Sequence, residues 1–129
     1  MDLLFLDLWE VVQVHQDQID RYGGDPGIRD VNLLASAVAT PRAGTQDGYL
    51  HDDVFAMAAA YLFHIVRDHP FVDGNKRTGA VAAIVFLRMN DVRIEADEAG
   101  LEALVRNVTE GTVGKAEIAA FFRRSARQT

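Results

Sequence analysis

The sequence predicts an all-α domain, an orthogonal bundle of about six helices with one small flap-like loop or hairpin, filling residues 1–129 as a single unit. Three observations carry this expectation. Residues 54–66 (VFAMAAAYLFHIV) and 79–89 (GAVAAIVFLRM) are apolar almost all the way round a helical wheel, as buried core helices are. Elsewhere Gly, Pro and Asp interrupt the chain at helix-length intervals. Only one segment, around Val92 and Ile94, alternates as a short strand does.

In order, a first helix is expected over about 6–21, stopped by the turn residues of YGGDPG at 22–27. Asp30 can cap a second helix reaching about Ala39 and ended by Pro41. The polar run PRAGTQDGYLHDD, 41–53, reads as a long loop or small hairpin. Asp52 or Asp53 caps the first core helix, which must end near Asp68 because Pro70 disfavours helical backbone at His69. The second core helix starts around Asn75. Asp97 can cap a helix through about Glu110, and a last helix follows EGTVG over about 115–127.

Composition excludes several classes. With 129 residues, 49% hydrophobic and 25% charged, the chain can bury one core. It has no cysteine, hence no disulfide, thiol nucleophile or thiolate zinc site, and a reducing cytoplasmic setting is expected. The N-terminal apolar run is broken by Asp2, Asp7 and Glu10, which argues against a leader or spanning helix and against a membrane partner. A formal charge of −6 argues against direct nucleic-acid binding. Only Lys76 and Lys115 among the 13 basic residues are lysines, and Lys76 lies inside the polar stretch between the core helices, which suggests that it is there for its ammonium.

The chemistry-bearing stretch is DHPFVDGNKRTG, 68–79, between the two core helices. Gly74 and Asn75 lie where a loop becomes a helix N-terminus, so unpaired amides and the positive end of the helix dipole form an anion site. Gly74 has no side chain to hold a phosphate away from the backbone. Lys76 and Arg77 in the first turn oppose the dipole, a penalty that a bound polyphosphate reverses. Asp73 is a hard oxygen ligand suited to Mg²⁺ beside phosphates. His69 has an imidazole suited to taking a proton from a hydroxyl near neutral pH, and Phe71 anchors the loop in the core. Singly, each residue has an ordinary structural explanation as turn, cap or solvated charge; together they point to phosphoryl chemistry.

His69, Phe71, Asp73, Gly74, Asn75, Lys76 and Arg77 reproduce H-x-F-x-D-G-N-K-R, and with RYGGDPG after the first helix the chain resembles the Doc (death-on-curing) toxins within the Fic fold. The resemblance implies a Fic/Doc-type bundle that acts as the toxin of a toxin–antitoxin module. Larger Fic proteins carry glycine where Lys76 stands and transfer AMP from ATP; in Doc-like proteins the nucleotide lies reversed, and the γ-phosphate passes to a Ser or Thr hydroxyl. The resemblance therefore implies a protein kinase using ATP and Mg²⁺. Carried over, His69 is the base, Asp73 holds Mg²⁺, the Gly74–Asn75 backbone cradles phosphates, and Lys76 and Arg77 neutralise charge. Arg67 either adds a phosphate contact or only compensates its helix C-terminus. Thr40, Gly44, Asp47, Gly48 and Tyr49 correspond to the family's substrate flap. The implied substrate is a translation factor, elongation factor Tu. No glutamate has Ser or Thr four residues before it, so the self-inhibitory S/T-x-x-x-E-G/N motif of some Fic proteins is absent from the sequence. The resemblance then implies inhibition in trans by an antitoxin whose disordered tail folds into a groove. Leu4, Leu8, Trp9 and Val12 of the first helix either line such a groove or belong to the core.

Two other functions stay open: Fic-type AMP transfer, favoured by Pro70 and disfavoured by Lys76, and a catalytically idle helical binding module. A metal phosphohydrolase built on His51-Asp52 with His15 rests on a dipeptide that four histidines give by chance roughly 0.4 times.

Overall fold

The computed structural model describes residues 2–128. Six α-helices are present among the described residues: α1 Leu8–Tyr22, α2 Val31–Ala39, α3 Val54–Asp68, α4 Asn75–Met89, α5 Glu98–Glu110 and α6 Lys115–Ser125. A 3₁₀ turn, Thr40–Arg42, follows α2. Two strand pairs complete the chain, β1 Gly44–Thr45 with β2 Gly48–Tyr49, and β3 Val92–Ile94 with β4 Ala126–Gln128, both antiparallel. None of the helices is long and apolar enough to cross a membrane.

Four helices begin with the same device. Asp7, Asp30, Asp53 and Asp97 stand in extended backbone, and each carboxylate accepts from the amide three residues on. At Asp7 the Glu10 side chain returns the bond, a full capping box. That box starts α1 two residues later than the expected Leu6. The other caps fall where expected, with Asp53 rather than Asp52 serving α3.

The core is built on α3 against α4. Met57, Ala58, Ala59, Ala60, Tyr61, Leu62, Ile65 and Val66 of α3 are all buried. A Cβ at Gly79 would lie 2.9 Å from Val66 Cγ2 and 3.2 Å from the Leu62 carbonyl, so only glycine lets the two helices approach this closely. Val11, Leu34, Val105 and Ile118 close the core from α1, α2, α5 and α6. The buried Tyr61 hydroxyl accepts from the Leu6 amide at 2.9 Å and donates to the Leu6 carbonyl, and burial pushes its pKa to about 12.

The expected last helix ends too late by two residues. Residues 126–128 leave α6 to pair with β3, Ser125 accepts from the Glu95 amide, and Arg127 reaches Glu95 at 2.8 Å. The unpaired edge of β3 wins over the helical propensity of the tail.

Candidate active site

The segment between α3 and α4 forms a cleft of about 340 Å³ lined by His69, Val72, Asp73, Gly74, Asn75, Lys76 and Arg77. It thus brings together every expected residue of the HPFVDGNKR stretch except the anchor Phe71 and Pro70, which are buried. His69 caps α3 in the left-handed region at φ 54°, an uncommon place for a residue with a Cβ. Pro70 does exclude it from the right-handed helix, but into left-handed rather than extended backbone. The side chain is exposed.

Gly74 is the N-cap of α4, at φ 79°, and no side chain caps the helix. The amides of residues 75–77 accordingly have no acceptor among the described residues, which leaves the positive helix end open to the cleft. The side chain that Gly74 lacks would face Ile19 and His15 of α1 at 3.3 and 3.6 Å. A glycine here suits the left-handed backbone and the close packing against α1.

Asn75 is buried, and its carboxamide is engaged by the loop. Oδ1 accepts from the Phe71 amide and Nδ2 donates to the Phe71 carbonyl, both at 2.9 Å, so the side chain closes the loop. Lys76 is exposed and forms no ion pair or hydrogen bond among the described residues. Arg77 is half-committed: Nη2 donates to the Gly23 carbonyl at 3.1 Å and the guanidinium lies 5.0 Å from the Tyr22 ring centroid. Asp73 Oδ2 accepts from the Asp25 amide at 2.8 Å, leaving Oδ1 uncommitted.

Arg67 is turned away. Its Nη1 donates to the Val108 and Thr109 carbonyls at the C-terminal end of α5, at 3.4 and 3.3 Å. The flap residues also lie outside the cleft lining. Gly44, Gly48 and Tyr49 form the β1–β2 hairpin with Asp47 in its turn, and Tyr49 packs 5.5 Å from Phe5. Thr40 belongs to the end of α2, where its hydroxyl donates to the Ser36 carbonyl.

The supporting roles of two residues were not read from the sequence, where His15 figured only in the phosphohydrolase alternative. His15 stacks on Phe71 with centroids 3.7 Å apart and planes at 6°, and its Nε2 donates to the Asp73 carbonyl at 2.8 Å. Burial holds the imidazole below its ordinary pKa, opposed by that hydrogen bond. Arg29 grips the other end, Nε donating to the His69 carbonyl at 2.6 Å and Nη2 to the Asp68 carbonyl at 2.9 Å. The intervening 24–30 segment runs alongside the loop, with Val72 donating to the Gly27 carbonyl, Arg29 and Asp30 donating to the Pro70 carbonyl, and Ile28 bridging Phe71. The only sequence signal was the glycine-rich RYGGDPG.

An exposed imidazole, an uncapped helix N-terminus with a free lysine, and a half-free carboxylate on one clamped loop between two core helices define an all-α Fic-type site. The chain belongs to the Fic/DOC family, whose model matches residues 5–87. Among relatives, it is similar to the protein kinase doc of Escherichia phage P1, 32% identical over 115 residues, 89% of this chain and 90% of the phage protein. It is also similar to the toxin Doc of Mycolicibacterium smegmatis, 42% identical over 76 residues, 59% of this chain and 58% of that protein's length.

Proposed function

We propose that the protein is the toxin of a toxin–antitoxin pair and a protein kinase, transferring the γ-phosphate of ATP to a Ser or Thr hydroxyl of a translation factor, elongation factor Tu by resemblance, in the cytoplasm. The observation that carries this reading is the free Lys76 ammonium in the first turn of the uncapped α4, beside the exposed His69. A cation at that end of a helix is unfavourable until an anion arrives. The names of the two relatives, a toxin and a protein kinase, support it.

In this reading the phosphates lie on the amides of residues 75–77, with Lys76 and Arg77 over them. The acceptor hydroxyl oxygen attacks the γ-phosphorus, the bond from that phosphorus to the β,γ-bridging oxygen breaks, and ADP leaves. His69 takes the hydroxyl proton. Asp73 fits Mg²⁺: one carboxylate oxygen is fixed by the Asp25 amide and the other is free, and Mg²⁺ commonly binds through one or two carboxylates plus phosphate oxygens and water. When bound with ATP, that ion would supply charge neutralisation to the phosphates.

A groove between α1 and α4 supports inhibition in trans. It measures about 470 Å³ and is lined by Leu6, Asp7, Trp9, Glu10, Gln13, Val14, Val85 and Met89. Trp9 is 73% exposed, while Leu8 and Val12 pack on the core and Leu4 is exposed outside the groove lining. With Asp7 and Glu10 on its rim, the groove suits an amphipathic antitoxin segment bearing Lys or Arg, folding on contact.

The deciding experiment incubates the protein with bacterial lysate, Mg²⁺ and ATP labelled on either the γ- or the α-phosphate. Label from γ on one prominent protein, lost in His69→Ala, is the expected result. Label from α alone would establish AMP transfer instead, and no label from either would leave a binding module.

A further inference from the structure

Lys115, the second of the two lysines, has no place in the site above. It opens α6, where a cation opposes the helix dipole, and it forms no ion pair with a carboxylate among the described residues. Its ammonium instead lies 3.1 Å from Nε2 of His64 on α3 and 5.8 Å from the Phe63 ring centroid. An ammonium has no lone pair, so this contact is a hydrogen bond only if Nε2 is the acceptor. His64 is then neutral with its proton on Nδ1, and Nδ1 is 3.6 Å from Asp68 Oδ2. Asp68 ends α3 and immediately precedes His69.

The same turn is also held by Arg29, through the Asp68 and His69 carbonyls. A left-handed non-glycine residue persists only where its surroundings over-determine it. We infer that Lys115 and His64 are positioning residues for His69, a relay from α6 through His64 to the Asp68 carboxylate that supports the turn whose carbonyls Arg29 holds. The functional part of this inference rests on the proposed role of His69 as base; the relay itself does not.

The groups facing His64 are Lys115 from α6, Asp68 from its own helix and His51 from the segment before α3. Burial first, and Lys115 second, keep His64 below its ordinary pKa, consistent with an acceptor Nε2. Protonation at Nε2 would replace the bond to Lys115 with repulsion and leave Asp68 as the sole attractive partner.

The test combines imidazole ¹⁵N spectroscopy with transfer kinetics on Lys115→Met, His64→Phe and the double variant. At pH 7.5 the His64 signals should report a protonated Nδ1 and a bare Nε2. In Lys115→Met the His64 titration should move upward. Each single variant should lower kcat for γ-phosphate transfer by about tenfold with KM for ATP unchanged, and the double variant should lose no more than either single one. Removing a cation from a helix N-terminus does not weaken the helix, so simple destabilisation would not give this pattern. A protonated Nε2, or a His64 titration unmoved by Lys115→Met, would overturn the relay. An intact relay with additive losses, or with kcat unchanged, would overturn the positioning role. If His69→Ala leaves transfer intact, the kinase reading fails and takes the positioning role with it, while the spectroscopy still decides whether the relay exists.

Discussion

His69 combines a left-handed backbone with an exposed imidazole, the group proposed above as the base. Held at φ 54° with its ring exposed, it costs about 1 kcal/mol or more that an unconstrained chain would not accept. Replacing it with glycine should therefore raise stability by about 1 kcal/mol in denaturant unfolding while lowering transfer by 10²-fold or more, on the order expected for loss of a general base. Equal or lower stability of His69→Gly would mean that the turn is not strained. Lys76 makes a sharper chemical prediction. With glycine there, γ-phosphate transfer should fall and α-phosphate label should appear on protein; the same labelled nucleotides measure both. Asn75 lies at the motif's centre but has a structural side chain. Asn75→Ala leaves the Phe71 amide and carbonyl without their partners in a buried loop, so unfolding experiments should show a loss of about 2 kcal/mol or more.

At the scale of elements, α4 carries both its dipole and its faults into the site. Thr78 is fully buried and its hydroxyl has no partner among the described residues, so Thr78→Val should match or exceed the parent in stability, by up to about 1 kcal/mol; a clear loss would point to a hydrogen bond formed with ligand or water. The helices themselves were readable because their caps are local: Asp30, Asp53 and Asp97 each act on an amide three residues away. What holds the motif was not readable, since His15 meets Asp73 across 58 positions and Arg29 meets His69 across 40. Nothing in periodicity marks such pairs. Arg67 shows the complementary limit: its charge suited a phosphate, but its helical face aims it at α5. Likewise the end of α6 depended on β3, a partner more than thirty positions earlier.

For the whole molecule, the fold lowers the pKa of three of the four histidines. Burial is the leading cause for His15, His51 and His64, and the nearby Lys115 adds to it for the last two. The folded state then binds these protons less readily than the unfolded chain, whose histidines titrate near 6.5. The stability they contribute is complete above that pH and is lost as pH falls through 6.5 toward their lower folded values. Thermal midpoints should be level between pH 8 and 7 and decline from 6.5 to 5, before Asp53, held down chiefly by its bonds to the Ala56 amide and Arg123 against the upward push of burial, begins to titrate. A midpoint flat to pH 5 would contradict this. The 24–30 segment has a consequence of another kind. Because it is stitched along the His69–Asp73 loop by Asp25, Gly27 and Arg29, the geometry of the loop that carries the candidate site is encoded forty or more positions upstream of it. In a random-mutagenesis screen for variants that have lost the proposed transfer, changes at Arg29, which holds the loop through its side chain, would be recovered beside those at His69, whereas Asp25, which holds Asp73 through its backbone amide, would tolerate substitution more readily.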